Sequence, residues 1–330
     1  MIAGIILAGS HIWRDDAFES LCPRLLLPVA NAPLIAYTLA WLREAGITTI
    51  AVCANHGNRA LRAYLLDGGS QALDLYYYED RMPRGPAGCV RDAALLAEAD
   101  QFVVVDGSVI PAVDLRALLQ SHEQCDVAAS VVVHRQARQT GELDPWLSPV
   151  GIYVFAGRAL ADVPTTGFQD IKESLLPKLH RAGTPVVAFP EDRASPRVRG
   201  LASYFEVQAW MLERLDAREL SVEGYEYQGG TCLHRSAWVA PRARIVGSVM
   251  IGARSRVEDD AIVVGPTVVG CQCLLGRGSA IARSVLWDRC VVSDHAVADH
   301  CLVTTGATLA PGEARHGATC CADADGMPSW

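Results

Sequence analysis

The sequence predicts an α/β domain built on a mostly parallel sheet, followed by a left-handed parallel β-helix. Two patterns carry this prediction: apolar runs that alternate with helical stretches, and, from Trp238 onward, a six-residue repeat of aliphatic residues. The chain has 330 residues, of which 50% are hydrophobic and 20% charged, so it can bury the large core that both parts need.

Six short apolar runs predict the strands of the first domain. Because they are almost continuously apolar, we expect helices on both faces of the sheet. Asn31 is predicted to cap the helix that follows the first strand, and Gly46 to end it. Strand, helix and strand in this order give parallel pairing through right-handed crossovers, as in a Rossmann-like sheet. The predicted strands are 2–7, 48–54, 102–106, 127–133, 151–155 and 184–189.

The aliphatic repeat predicts the β-helix. It runs every six residues from Val239 to Ile281 and resumes, after a step of four, from Val285 through Val291, Val297 and Val303 to Leu309. A period of six fits hexapeptide coils in which each aliphatic side chain points into a narrow prism. Such solenoids expose strand edges and flat faces, so we expect this part to associate with a second copy or another protein.

These patterns divide the chain into four parts. We expect the α/β domain at 1–222, a linker at 223–236, the β-helix at 237–312 and a flexible tail at 313–330. A helix over 204–220 is predicted to pack against the sheet and lead into the linker.

Composition excludes several classes of function. The net charge of −8 gives no basic stripe for nucleic acid. The apolar runs are far shorter than the ~20 residues that cross a bilayer, and no signal peptide is visible, so we expect a cytoplasmic protein that binds no membrane. The 11 cysteines include no Cys-x-x-Cys pair, which predicts reduced thiols rather than zinc ligands.

The first domain should bind its ligand beyond the carboxyl ends of the parallel strands. The first predicted strand ends at Ala8-Gly9-Ser10, and a later one at Asp106-Gly107-Ser108. These two turns are therefore expected at one cleft.

The order of short motifs resembles the sugar-1-phosphate nucleotidyltransferases that carry a hexapeptide β-helix, such as mannose-1-phosphate guanylyltransferase and ADP-glucose pyrophosphorylase. The motifs are Leu7-Ala8-Gly9, the stretch from Pro23 to Ile35, Pro83 to Gly88, Gly151 to Phe155, and Leu175 to Leu179. The resemblance covers most of the chain. It implies nucleotide contacts at Leu7, Ala8, Gly9, Gly85, Ala87 and Asp106, and a sugar contact at Gly151.

The resemblance also implies a chemistry that this sequence departs from. The family needs magnesium and cations to offset charge on the reacting phosphates. Its Gly-x-Gly-Thr-Arg turn falls here on Ser10 to Arg14, whose side chains stand where glycines allow close approach. Its activating lysine falls on Arg24, which keeps the charge but not the compact donor.

Both metal-binding positions of the family have lost their carboxylates. The aspartate of the family's Gly-Asp pair falls on Ser108, and Asp106 lies two residues upstream, roughly 6–7 Å away along a strand. The aspartate of its Asp-Ile-Gly triplet falls on Val198, where we expect Arg199 to oppose a metal ion. The stretch before Gly151 is also too short for the family's sugar-phosphate loop.

These departures predict a non-catalytic member, in which Arg24, Asp106, Ser108 and Val198 are degenerate positions and no catalytic residue or metal site is assigned. It would act as a regulatory or scaffolding subunit, in a homo-oligomer or in a complex with an active relative, and could bind a nucleotide or nucleotide-sugar. The alternative is an active enzyme that uses magnesium in a rearranged site. A third hypothesis is a hexapeptide acyltransferase, whose histidine base would be His234, His295 or His300.

Overall fold

The computed structural model of the chain contains two compact units. It describes residues 1–9, 18, 20–55, 59–66, 73–80, 84–136, 146–161, 163–191, 195–216 and 222–322. The first unit consists of Met1–Leu27 and Leu34–Val198, and the second of Pro28–Pro33 and Arg199–Trp330. The boundary expected near residue 222 lies instead at Val198, and a short N-terminal segment also belongs to the second unit.

The first unit is built on a seven-stranded sheet with the order β5-β4-β1-β6-β8-β7-β9. Strand β8 is antiparallel to both of its neighbours, and the remaining pairs are parallel, as the sequence predicts for a mostly parallel sheet. The strands up to residue 191, of which β2 and β3 form a separate two-stranded sheet, are β1 (Ile2–Leu7), β2 (Pro28–Val29), β3 (Ala32–Pro33), β4 (Thr49–Asn55), β5 (Asp74–Asp80), β6 (Gln101–Asp106), β7 (Ala129–Gln136), β8 (Trp146–Ala156) and β9 (Val186–Glu191).

Strand β5 was not predicted, because its sequence of acidic residues and tyrosines contains no apolar run. It forms an edge of the sheet, where one side of a strand faces no neighbour and polar residues are tolerated.

Helices cover both faces of this sheet. Successive residues of β1 illustrate it, since Ile5 is buried in one hydrophobic cluster and Ile6 in the other. Helices α3, α5 and α6 contribute to the first cluster, and α1, α2 and α4 to the second. The helices are α1 (Leu34–Glu44), α2 (Arg59–Leu66), α3 (Gly85–Ala97), α4 (Leu115–Gln124), α5 (Gly157–Ala161) and α6 (Leu176–Arg181), with a π-helical turn at Ile171–Leu175.

The second unit contains stacked short parallel strands, consistent with the predicted left-handed β-helix. They form three sheets, β11-β14-β17-β20-β23-β26, β12-β15-β18-β21-β24 and β13-β16-β19-β22-β25, and β10 pairs antiparallel with β11. The strands are β10 (Tyr225–Gln228), β11 (Thr231–His234), β12 (Trp238–Val239), β13 (Arg244–Val246), β14 (Val249–Ile251), β15 (Arg256–Val257), β16 (Ile262–Val264), β17 (Thr267–Val269), β18 (Leu274–Leu275), β19 (Ala280–Ala282), β20 (Val285–Leu286), β21 (Val291–Val292), β22 (Val297–Asp299), β23 (Leu302–Val303), β24 (Thr308–Leu309), β25 (Ala314–His316) and β26 (Thr319–Cys320).

The coils extend beyond their expected limits. They begin within the predicted linker, since β10 and β11 precede residue 236, and they continue past residue 312 to Cys320. The end of the predicted flexible tail, residues 323–330, lies outside the described residues.

The six-residue repeat shortens to five residues twice, after Ile281 and after Ala298, and the sequence analysis missed both steps. Val257 pairs with Leu275, and Leu275 with Val292 rather than with Val291. Likewise Ile281 pairs with Ala298, which is fully buried. The inward positions therefore resume five residues after Ile281, and the prediction of Val285, Val291 and Val297 was displaced by one residue. Alanine is a weak signal for an inward position, which explains the error.

Helix α7 (Leu201–Asp216) belongs to the second unit and packs on β-helix strands β11 and β17. The indole nitrogen of Trp287 donates a 2.9 Å hydrogen bond to the hydroxyl of Tyr204, and Phe205 stacks on His300. The expectation that this helix packs against the sheet of the first domain is thus corrected. None of the helices that the structure describes is long and apolar enough to cross a membrane.

Candidate functional site

In the turn after β6, the Asp106 carboxylate is buried and hydrogen-bonded to Ser108. Asp106 is 5% exposed, and its Oδ1 accepts hydrogen bonds from the backbone N–H of Ser108 at 3.0 Å and from the Ser108 hydroxyl at 2.7 Å. Between them, Gly107 donates its N–H to the carbonyl of Leu7 at 2.9 Å, and an added Cβ would lie 2.8 Å from that same backbone carbonyl oxygen. Only glycine fits that approach, so the turn is tightly fixed against the end of β1.

The segment that precedes Val198 runs antiparallel to this turn. The Val198 N–H donates to the Ser108 carbonyl at 2.9 Å, and Val109 forms a bridge with Arg197. The structure therefore brings together Ser108 and Val198, the two positions that the resemblance matched to metal-binding aspartates. Both are buried, and neither side chain is a carboxylate.

The arginine that faces Asp106 is Arg197 rather than the expected Arg199. Its Nη2 lies 3.3 Å from Asp106 Oδ2 and donates a 2.8 Å hydrogen bond to the carbonyl of Val150. Arg199 is exposed, and its backbone N–H donates to the Ser203 hydroxyl. The sequence analysis considered only Arg199, whereas the bridge to Val109 and the ion pair with Asp106 show that Arg197 faces the turn.

Gly151, the predicted sugar-side residue, lies directly against this ion pair. Its φ is +91°, and an added Cβ would lie 2.2 Å from Arg197 Nη2 and 3.0 Å from Asp106 Cβ. The Arg197 guanidinium thus occupies the space beside Gly151.

The surroundings of the ion pair are of low polarity. Burial raises the pKa of the Tyr153 phenol, and the nearby Asp106 carboxylate raises it further, so Tyr153 stays neutral at physiological pH. In such surroundings Asp106 and Arg197 compensate each other's charge, and removing either takes a nearby opposite charge away from the other. One carboxylate oxygen of Asp106 therefore lies beside Arg197, and the other accepts hydrogen bonds from Ser108.

The predicted nucleotide contacts at the end of β1 use part of their backbone within the chain. The Leu7 carbonyl accepts from Gly107, and the Ala8 N–H donates to the Cys53 carbonyl at 2.7 Å. Gly9 is exposed. Residues 10–17, where the family's phosphate-binding turn would fall, lie outside the described residues.

The second predicted nucleotide contact is the start of α3. Gly85 has φ +75°, and a Cβ there would lie 2.5 Å from the Gln169 carbonyl oxygen. The Ala87 N–H donates to that same carbonyl at 2.9 Å, and the Gln169 N–H donates to Arg84. Ala87 is fully buried, and its N–H is bound within the chain, while the predicted nucleotide contacts at Gly85 and Ala87 stay predictions.

Arg24 lies in a 3₁₀ turn, Arg24–Leu26, and is 8% exposed. The family's lysine position is therefore held inside the protein.

The histidines of the acyltransferase hypothesis lie in separate local environments. His234 interacts with the Ser236 hydroxyl at 2.9 Å and packs edge-on against Tyr225. His300 stacks on Phe205, and His295 occupies a turn with φ +59°. Across the described ranges, no three His, Cys, Asp or Glu side chains cluster in a way that could hold a metal ion.

Comparison with known proteins gives consistent matches. The profile of the Nucleotidyl transferase family matches residues 5–141. The chain is 22% identical to a UTP–glucose-1-phosphate uridylyltransferase of Synechocystis sp., over 86% of this chain and 82% of that protein. It is 22% identical to a mannose-1-phosphate guanylyltransferase of Mycobacterium tuberculosis, over 84% of this chain and 83% of that one. The crystal structure of HddC from Yersinia pseudotuberculosis superposes with a TM-score of 0.55 at 15% identity, covering 64% of this chain and 100% of that one, which shows the shared fold.

Proposed function

We propose that this chain, which belongs to the sugar-1-phosphate nucleotidyltransferase family, is a non-catalytic member that acts as a regulatory or scaffolding subunit. The observation that carries the proposal is the contact between Ser108 and Val198. Their backbones meet as two metal-binding positions should, but their side chains offer one hydroxyl and no carboxylate.

Nucleotidyl transfer joins two phosphorylated reactants, so it needs a cation to offset their negative charge. Magnesium takes oxygen ligands at about 2.0–2.1 Å in near-octahedral geometry, usually with one or two carboxylates. Asp106 is the carboxylate nearest to Ser108 in sequence, and it is already bound by Arg197 and Ser108. The resident arginine also places positive charge beside any incoming cation. These facts support loss of the metal-dependent step.

The proposed role requires a partner. We propose that the β-helix assembles this chain with a second copy or with an active relative, and that a nucleotide or nucleotide-sugar binds without turnover. The names of the relatives make UTP and GTP, with glucose 1-phosphate and mannose 1-phosphate, the first compounds to test.

The test is a pyrophosphate-release assay with Mg²⁺ over these triphosphates and sugar phosphates, alongside an active family member as positive control. We expect no release above the protein-free blank. Equilibrium binding of the same nucleotides, measured by calorimetry, and oligomeric state, measured by sedimentation, complete the experiment. Turnover comparable to that of the active control would replace the proposal with the active-enzyme alternative.

A further inference from the structure

Arg197 lies on a segment of the first unit whose backbone is hydrogen-bonded on both sides of it. The Pro196 carbonyl accepts from the Ile110 N–H at 2.9 Å, and the Val198 N–H donates to the Ser108 carbonyl at 2.9 Å. Arg197 itself forms a backbone bridge with the residue between those two partners. The Arg197 side chain therefore starts from a fixed backbone position beside the turn that follows β6.

The Arg197 guanidinium is held through one of its three nitrogens. Nη2 lies 3.3 Å from Asp106 Oδ2 and donates a 2.8 Å hydrogen bond to the Val150 carbonyl. An added Cβ at Gly151 would lie 2.2 Å from the same nitrogen, so the guanidinium packs directly against the backbone of Gly151. These three contacts fix the position of the positive charge.

The other two nitrogens of the Arg197 guanidinium carry further donors. A guanidinium has five N–H groups, of which Nε and Nη1 together carry three. Among the residues that the structure describes, none accepts a hydrogen bond from Nε or Nη1, and the side chain is 13% exposed. Phosphate oxygens form strong hydrogen bonds with guanidinium N–H groups because both partners are charged. Arg197 thus presents a fixed positive charge with three N–H donors for an anion.

The charge at this place differs from that of a magnesium site. Two carboxylates repel a phosphate until a cation lies between them. Here Ser108 and Val198 carry no charge, and Asp106 and Arg197 compensate each other. A phosphate without a metal ion therefore meets no net negative charge, and the N–H groups of Arg197 attract it. Mg²⁺ on the phosphate would weaken that attraction, because it neutralises the same oxygens.

We propose that Arg197 binds a phosphate group of the ligand directly, so that this chain takes phosphorylated ligands without a metal ion. The inference rests on the proposed function, because it concerns the compound that a non-catalytic member would bind. Inorganic phosphate, a sugar 1-phosphate and a nucleoside triphosphate share this chemistry. The guanidinium lies against Gly151, the predicted sugar-side residue, which makes a sugar 1-phosphate the first of the three to test.

The experiment is isothermal titration calorimetry on the full chain, in EDTA and again in excess Mg²⁺. The probes are glucose 1-phosphate, mannose 1-phosphate, UTP, GTP and inorganic phosphate. Arg197→Lys keeps a positive charge beside Asp106, but its three donors share one atom and cannot serve both the protein and a phosphate in the same way. Arg199→Lys is the matched control, because it makes the same change at an exposed position two residues away. Urea unfolding measures the stability of both variants.

We expect at least one probe to bind the wild type in EDTA, with a dissociation constant no larger than in Mg²⁺. Arg197→Lys should raise that constant roughly tenfold or more, as the loss of a hydrogen bond to a charged group implies. Arg199→Lys should leave it unchanged. The probe that binds most tightly identifies the source of the phosphate.

Three results would overturn the inference: binding that requires Mg²⁺, equal affinities of the wild type and Arg197→Lys, or no binding of any probe. The comparison of EDTA with Mg²⁺ uses the wild type alone, so it is decisive even where Arg197→Lys proves unstable. Failure of the proposed function has a different signature, which is pyrophosphate release from a triphosphate and a sugar phosphate in the presence of Mg²⁺.

Discussion

Adding one methyl group at Gly151 would test the ion pair between Asp106 and Arg197. At its φ of +91°, alanine costs about 1–2 kcal/mol for the backbone alone. The added Cβ would also lie 2.2 Å from Arg197 Nη2. Since the guanidinium is the flexible end of a long side chain, it would move aside and lose its bonds to Val150 and Asp106. Losing hydrogen bonds to a charged group adds about 1.5–3 kcal/mol, so Gly151→Ala should lower the free energy of unfolding by about 2.5–5 kcal/mol.

Urea denaturation followed by circular dichroism measures this cost. Gly183→Ala is the matched control, because Gly183 has φ +71° and nothing within 4 Å of an added Cβ. It should lose only the backbone cost of about 1–2 kcal/mol. In an Arg197→Ala background, Gly151→Ala should cost about as little as this control. Equal costs for the two glycine variants in the wild-type background, or additive effects of Gly151→Ala and Arg197→Ala, would show that Gly151 does not act through Arg197.

Val292→Ala should cost about 2 kcal/mol more in urea unfolding than Val291→Ala, because Val292 is fully buried and Val291 is not; equal costs would contradict the assigned register. Burial lowers the pKa of His122, so the unfolded state takes up its proton first, and stability should fall as pH drops below about 6.5. In thermal melts at several pH values, a His122→Gln variant should not show this loss of stability at acidic pH. A variant with the same pH profile as the wild type would contradict the prediction. The pair of substitutions Ser108→Asp and Val198→Asp should create Mn²⁺ binding detectable by electron paramagnetic resonance; equal binding by the wild type would contradict the proposed loss of the metal site.

The general fold could be predicted from the sequence because it depends on local periodicity. Continuous apolar runs marked six of the seven strands in the sheet of the first unit, and strict spacing from Val239 to Ile281 marked the β-helix. Prediction failed where the signal was weak or required a distant partner. Ala298 lies at an inward position but gives little hydrophobic signal there. Asn31 is a residue type that often caps helices, but its side chain binds the Val269 carbonyl of the β-helix.

The same distinction between local signals and distant partners applies to the candidate site. Residue identity alone shows that Ser108 and Val198 carry no acidic group, and no coordinates are needed for that conclusion. The folded structure was needed to show that these two residues are hydrogen-bonded, that Arg197 rather than Arg199 pairs with Asp106, and that Gly151 leaves space for the guanidinium. The physical reason is that side-chain identity is a local property, whereas the partner of a buried charge depends on which distant segment the folded backbone brings beside it.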